Sequence, residues 1–449
     1  MEEKNIIAIE IGSSKVRGAI GTYSPDGVLT VNAVEEEPLL DWVRNGTVSN
    51  VEEVASLVGR IIRKIENRVS PRKVSSVYVG VGGRSFMSLP REVEQTFPEE
   101  VEITDKVIER LMNDAALSPY ADRELYEVVP REFTVDKTTV SRPKGTVGRS
   151  IRMSANLIVG RPQPKRNIDR LFGEKLKIDV AGYKVRQIAL GDAILTNEEK
   201  RLGCMLADFG AETTTVSIYK NGRLQYMATL PLGSRNITRD IMNLHIVEER
   251  AEDLKCTLGT VNPSAGVQTI GQTDYSDLNN YVVHRAGEIM ANVREQIKFA
   301  GYKASDLNAG IIVTGGGARL NGFNEGLATM LGMKIRTGSV NVSEVRIPDS
   351  RISAAEMADV ISVLCAVVKD NPQECLSIPV VEQQPEVEPE RQEEPQYRPE
   401  PAKEPVAPKF EREKAPAKPK RKSWMETFRS KVANLMTEDE DDYDMRDDD

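Results

Sequence analysis

A matched pair of short glycine turns constrains this chain more than any other feature. Met205 to Arg223 reads MLADFGAETTTVSIYKNGR: an apolar run, Asp208, Gly210, three threonines, a β-rich run over Val216 to Tyr219, and then Asn221-Gly222. Asn-Gly between β segments is a strong two-residue hairpin signal, because both positions accept φ > 0. Ile6 to Gly21, IIAIEIGSSKVRGAIG, has the same order with Glu10, Gly12, Ser13 and Ser14, and Ser24-Pro25-Asp26-Gly27 turns it into a further β segment, Val28 to Val34. Two copies of strand, acid, glycine, hydroxyl and hairpin, about 200 residues apart, predict a duplicated domain. The chemistry suits two loops closing on one polyphosphate. Glycine lets backbone N–H groups approach phosphate oxygens, the hydroxyls donate hydrogen bonds, and the carboxylate holds the waters of a Mg²⁺. Either loop alone also reads as an ordinary β-turn; the matching context points to phosphate.

Between and beyond the loops the periodicity alternates. Val54, Leu57, Val58, Ile61, Ile62 and Ile65 predict a helix over Val51 to Val69 with Asn50 as its N-cap, and Val74 to Gly83 reads as a buried strand. From Ser85 to about Gly160 the character changes. A helix from Thr104 to Ala116, strands at Tyr126–Val129, Glu132–Val135 and Met153–Val159, and a turn at Ser141–Gly145 predict a small α+β insert. Arg170 to Lys177 and Ile188 to Thr196 restore helical character. After the second hairpin come helices over Ile237–Leu244 and Val247–Leu258, the latter ended by Gly259 as a C′ residue. A longer helix, Tyr281–Phe299, carries Val283, Ala286, Ile289, Met290, Val293 and Ile297 on one face. A third glycine site follows, a strand from Gly310 to Thr314 and then Gly315-Gly316-Gly317, before helices at Phe323–Leu331 and Ser353–Val368. Strand, GGG, helix lets backbone pass close to a flat or phosphorylated ligand; a tight turn at a sheet edge reads the same way.

The formal charge of −9 is unevenly spread: Glu438 to Asp449 holds nine acidic residues and one arginine. The remainder is near neutral and gives no case for nucleic acid. Four cysteines lack metal-like spacing and only two histidines exist, which argues against zinc sites and His-based triads. The acidic start MEEKN and the lack of an apolar run of about 18 residues predict a cytoplasmic chain that does not span a membrane. Nine of the 24 prolines fall between Val380 and Lys420, with Glu, Gln and Lys, which predicts a disordered linker. Beyond it Trp424, Met425, Phe428, Val432, Leu435 and Met436 fall within an arc of about 120° on a helical wheel. With Lys418, Lys420, Arg421 and Lys422 just before, this predicts a helix lying on an anionic membrane surface. Binding to a partner, or docking on its own domain, are the alternatives.

The three glycine sites in this order, with an insert after the first sheet, resemble the actin, heat-shock-chaperone and sugar-kinase ATPase superfamily, and within it the bacterial FtsA cell-division family. The strings that carry the likeness are IEIGSSKVRGAIG (Ile9–Gly21), VVPREFTVD (Val128–Asp136), ILTNEEKRLGCMLADFGAETTTVSIYKNG (Ile194–Gly222) and IIVTGGGARLNG (Ile311–Gly322). The resemblance implies an α/β, duplicated actin-like ATPase fold of two lobes with an inserted α+β subdomain, a linker and a terminal amphipathic helix. Its parts would be 1–84 with 161–195, the insert 85–160, 196–236 with 301–378, a helical subdomain 237–300, linker 379–421, membrane helix 422–437 and acidic tail 438–449. It also implies ATP bound between the lobes. Gly12, Ser13, Ser14 and Lys15 would meet the phosphates from one side and Gly210, Thr213 and Thr214 from the other, with Asp208 and Glu10 on Mg²⁺ through water. Gly315, Gly316 and Gly317 would lie against the adenosine, and Glu252 and Lys255 would reach ribose and adenine. Arg285 is a candidate contact for the C-terminal tail of the tubulin-like protein FtsZ, a solvated helix arginine being the other reading. Self-polymerisation, other division proteins and a peripheral address on the cytoplasmic side of the membrane at the division site complete the picture.

Two departures bear on chemistry. Glu10 stands where the superfamily usually has Asp, and Ala211-Glu212 stiffens the second loop and adds a charge near phosphate. In Ala189–Thr196 the only acidic candidate to activate water is Asp192, so ATP binding with at most slow hydrolysis is expected. A small-molecule kinase or a type IV pilus assembly platform on the same fold are the competing functions.

Overall fold

The computed structural model describes residues 3–117, 122–262, 269–270, 273–274 and 276–378. The expected linker, the terminal helix with Trp424, Met425, Phe428, Val432, Leu435 and Met436, and the acidic tail lie outside the described residues. Among the described residues no helix is long and apolar enough to cross a membrane.

The duplication is visible in the strand order. One sheet runs Asp179–Val185, Ser76–Val81, Lys4–Ile11, Lys15–Tyr23, Leu29–Pro38, with Val345–Arg346 added at its edge. The second contains Ile335–Thr337, Gly310–Thr314, Cys204–Phe209, Thr214–Lys220, Arg223–Leu230 in the corresponding order. In both, an antiparallel three-strand meander is joined along its first strand by a parallel strand from later in the chain. Strands buried on both faces read as near-continuous apolar runs. Ser76–Val81 and Cys204–Phe209 are buried along their whole length.

Helices cover these sheets as their apolar spacing requires. Val51–Val69 starts at Asn50, whose side chain accepts the N–H of Glu53, and buries Val54, Leu57, Val58, Ile61, Ile62 and Ile65. The last helix begins at Ala358 and not at Ser353; residues before it form a turn, and the helix buries Val360, Ile361, Val363, Leu364 and Val367 in the same core. The long helix starts earlier than expected, at Ser276, and its buried face carries Val282 in place of Val283, with Ala286, Ile289, Met290, Val293 and Ile297. Gly259 closes Glu248–Leu258 without the left-handed turn expected of it. Its φ is −63°, and the carbonyl of Lys255 lies 2.4 Å from where a Cβ would stand, so the need there is for close approach. Asn221 (φ 55°) and Gly222 (φ 79°) make the hairpin turn that the sequence demands.

The insert is a four-strand sheet with one helix, Asp105–Ala116, packed on it through Val107, Leu111 and Ala115. Thr104 holds the N-cap position without a side-chain capping bond. Tyr126–Val129 and Glu132–Val135, read as two strands, are one strand, Glu124–Val135. Pro130 lies between the two halves. Opposite it the register slips, from Ser154 against Glu132 to Ala155 against Pro130, and a bulge accommodates the missing N–H. The insert extends the second sheet, since Met87 pairs with Ala228.

Candidate functional site

The two hairpin loops close in the same way. Gly12 donates its N–H to the Lys15 carbonyl at 2.9 Å, and Gly210 donates to the Thr213 carbonyl at 2.9 Å. A Cβ on Gly12 would stand 3.0 Å from that carbonyl, and one on Gly210 2.9 Å from its counterpart, so side chains are excluded by the turn itself. Two residues before each glycine stands an acid, Glu10 or Asp208, near the end of a central strand and buried. Carboxyl ends of parallel strands at the point where connections diverge are where open α/β sheets bind ligands.

The third glycine turn joins them. Thr314 pairs in parallel with Asp208, and Gly315 then turns with φ +88°. Its missing Cβ would meet the Phe209 carbonyl at 2.4 Å and Asp208 Oδ1 at 2.6 Å. Gly317 packs against Phe209 and Ser234, while Gly316 has open space around its Cβ position. Lys255, buried, donates to the Ser234 carbonyl at 3.3 Å, to Thr238 Oγ1 at 2.9 Å and to Glu252 at 2.7 Å. Glu252 and Lys255 therefore reach the Gly315–Gly317 turn through the start of the helix Ser234–Ile241. Burial works against ionised Glu252, but Lys255 and Thr238 hold it below its ordinary range.

Other expected contacts are already engaged. Lys15 reaches Glu36 at 2.8 Å, and the Thr214 hydroxyl donates to the Leu232 carbonyl at 2.7 Å. Thr213 is buried, Ser14 exposed and Ser13 half-buried. Asp192 is not brought to the loops: it takes Lys200 at 2.7 Å and Lys369 at 3.2 Å, and these cations depress its pKa against the effect of burial. A carboxylate so held is a poor base. Arg285 grips Asp240 with two bonds, 2.6 and 3.0 Å, and also pairs with Glu288, so it ties the long helix to Ser234–Ile241.

Two arginines give the site its electrostatics, and the sequence reading passed over both. Arg186 begins the helix Arg186–Ile194 and forks between the two acids, Nη1 to Glu10 Oε1 and Nη2 to Asp208 Oδ2, each at 2.7 Å. Burial pushes Glu10 up to about 7 against the pull of Arg186, and raises Asp208 likewise. Burial opposes the charge on Arg186 too, yet Asp208 and Glu10 outweigh it and raise its pKa. Arg235 crosses the cleft: it donates to the Ser13 carbonyl at 3.1 Å, to Asp41 at 3.2 Å and to Glu212 at 3.3 Å. Glu212 also accepts Arg239 at 3.2 Å and the Asn45 N–H at 2.5 Å. Neither arginine sits in a local motif; only the fold places it.

Mg²⁺ was expected between Glu10 and Asp208. The space between their facing oxygens is filled by a guanidinium, so this donor set does not fit a hydrated metal shared by both. Among the described residues no three His, Cys, Asp or Glu side chains gather into a metal-binding cluster.

Residues 205–362 match the family described as "Cell division protein FtsA", and residues 83–159 the one described as "SHS2 domain inserted in FTSA". The chain is 30% identical over 351 residues to the cell division protein FtsA of Porphyromonas gingivalis, which spans 75% of this chain and 72% of that protein. To the FtsA of Bacillus subtilis it is 27% identical over 364 residues, 76% of this chain and 80% of that one. Among solved structures, the PilM-PilN type IV pilus biogenesis complex aligns with a TM-score of 0.56 at 16% identity, over 80% of this chain and 98% of that one, a likeness of fold. The duplicated sheets and the inserted subdomain are the actin-like ATPase fold with an SHS2 insert.

Proposed function

The chain belongs to the FtsA family of cell division proteins, and on that premise we propose that it binds ATP between its two hairpin loops, polymerises like actin, and ties FtsZ filaments to the cytoplasmic membrane at the division site. The observation that carries the nucleotide part is the pairing of identical turns, Gly12 to Lys15 and Gly210 to Thr213, with Gly315 packed on the second. Phosphates would meet the backbone inside each turn, at Ser13 and Ser14 on one side and between Gly210 and Thr213 on the other, since the Gly12 and Gly210 N–H groups are given to the Lys15 and Thr213 carbonyls. The adenosine would rest by Gly315–Gly317, with Glu252 and Lys255 behind. Hydrolysis is slow at most, because Asp192 is tied to two lysines.

The membrane part rests on sequence. A short helix bearing Trp424, Met425, Phe428, Val432, Leu435 and Met436 inserts only partly, and so holds weakly by itself, at about 0.8 kcal/mol per buried CH₂. Aligned copies in a filament would multiply that hold. FtsZ's tail and other division proteins are the proposed partners, with the helical segment 237–300 as the FtsZ face.

The test is co-sedimentation with anionic liposomes, with and without Mg-ATP, of the full chain and a chain ended at Lys420. The full chain is expected to pellet, more so with ATP, and the shortened one to stay soluble. If both stay soluble, the tether reading fails and leaves an ATP-binding division scaffold.

A further inference from the structure

Resting on the nucleotide reading, we propose that Arg186 is the built-in cation of this cleft, and that ATP binds between the two loops without a divalent metal shared by Glu10 and Asp208. The backbone under Arg186 is set by pairing: Val185, just before it, lies opposite Val81 in the parallel pair of Asp179–Val185 with Ser76–Val81. The side chain therefore leaves the sheet at the end where both acids stand. Its planar fork gives one bond to each copy of the duplicated motif, 2.7 Å apiece. That is the geometry arginine supplies and a spherical ion does not.

Room and charge both argue against a metal in the same place. Mg²⁺ takes six oxygens at about 2.0–2.1 Å and keeps most of its waters, so a shared ion needs a hydrated gap between the carboxylates. Arg186 occupies that gap, with its side chain 17% exposed against 5% and 8% for Glu10 and Asp208. Both carboxylates are packed against the glycines of the turns: Asp208 Oδ1 lies 2.6 Å from the position a Gly315 Cβ would take, and the Glu10 oxygens lie 3.4 and 3.7 Å from that of Gly12. Nearby, Arg17 is spent on Asp359 at 2.5 Å and Glu36 at 3.2 Å. Glu10 and Asp208 thus hold at most two negative charges against one positive, and one fewer where Glu10 keeps its proton, so a divalent ion would be drawn by no more than a single net charge while repelled by a largely buried guanidinium.

The experiment is titration of the full chain with ATP by calorimetry, in MgCl₂ and in EDTA, for the wild type, Arg186→Gln and Arg186→Lys. The wild type is expected to bind with dissociation constants within about threefold of each other in the two buffers. In R186Q the acids lose their cation, so affinity in EDTA falls by about tenfold or more and returns with Mg²⁺, which the freed pair now holds. R186K keeps the charge without the fork and falls between. A wild type that loses tenfold or more in EDTA overturns the proposal, and so does an R186Q with the same response to Mg²⁺ as the wild type. If R186Q does not fold, the two wild-type titrations still decide. Absence of ATP binding in both buffers is a separate outcome: it removes the nucleotide reading and this inference with it.

Discussion

Glu212 accepts the backbone N–H of Asn45 at 2.5 Å, from a residue 167 positions earlier in the chain. Its other oxygen takes Arg235 and Arg239, and Arg235 continues to Asp41 and the Ser13 carbonyl. One buried carboxylate thus holds the second loop to the half of the chain that carries the first.

Glu212→Ala should lower stability by about 2 kcal/mol, since it strands a half-buried N–H and a largely buried arginine. Part of the loss is spared because Arg239 is half exposed and regains water. Glu212→Gln, which still accepts from Asn45, should lose less. Urea unfolding of the three proteins checks this, and an alanine variant as stable as the wild type would show the clasp to be idle.

Gly315 and Gly316 should respond oppositely to alanine. At 315 the backbone is left-handed and a Cβ would strike the Phe209 carbonyl, so Gly315→Ala should cost about 2 kcal/mol or more and abolish ATP binding. At 316 there is open space, so Gly316→Ala should fold normally. Thermal unfolding with an ATP titration separates them. Equal behaviour of the two variants would contradict the turn geometry.

Glu127 provides a pH signature. Burial raises it from 4.5 to about 7, with Lys184 pulling it down and Asp192 and Asp370 pushing it up. A carboxyl whose folded pKa is raised holds its proton longer in the folded state than in the unfolded. Its contribution is complete below pH 4.5 and is lost as pH rises towards 7. Glu127→Gln should therefore flatten the fall in stability across that window. Unfolding midpoints measured from pH 4.5 to 7 would refute this if the two proteins ran parallel.

Asp192→Asn should leave phosphate release from ATP within about twofold of the wild type, because a carboxylate shared by Lys200 and Lys369 is not free to take a proton. Loss of hydrolysis in a variant that still folds and binds ATP would restore Asp192 to the chemistry.

Local sequence was enough wherever the physics is local. Asn221-Gly222 turns because both positions take positive φ, Asn50 caps because its side chain reaches Glu53, and the spacing of Val54 to Ile65 faces one sheet. The same holds for the two loops, whose acid, glycine and hydroxyls follow one another in the chain, and for the family that these strings resemble. The continuity of Glu124–Val135 was not legible, because the missing N–H of Pro130 has two outcomes, a break or a bulge, and only the partner strand selects between them. Tertiary structure alone decided what fills the space between the acids. Arg186 lies 176 residues from Glu10 and 22 from Asp208, at a strand-to-helix junction with no pattern of its own. Burial of two carboxylates demands a counter-charge, but which side chain supplies it depends on how two sheets meet, and periodicity does not encode that.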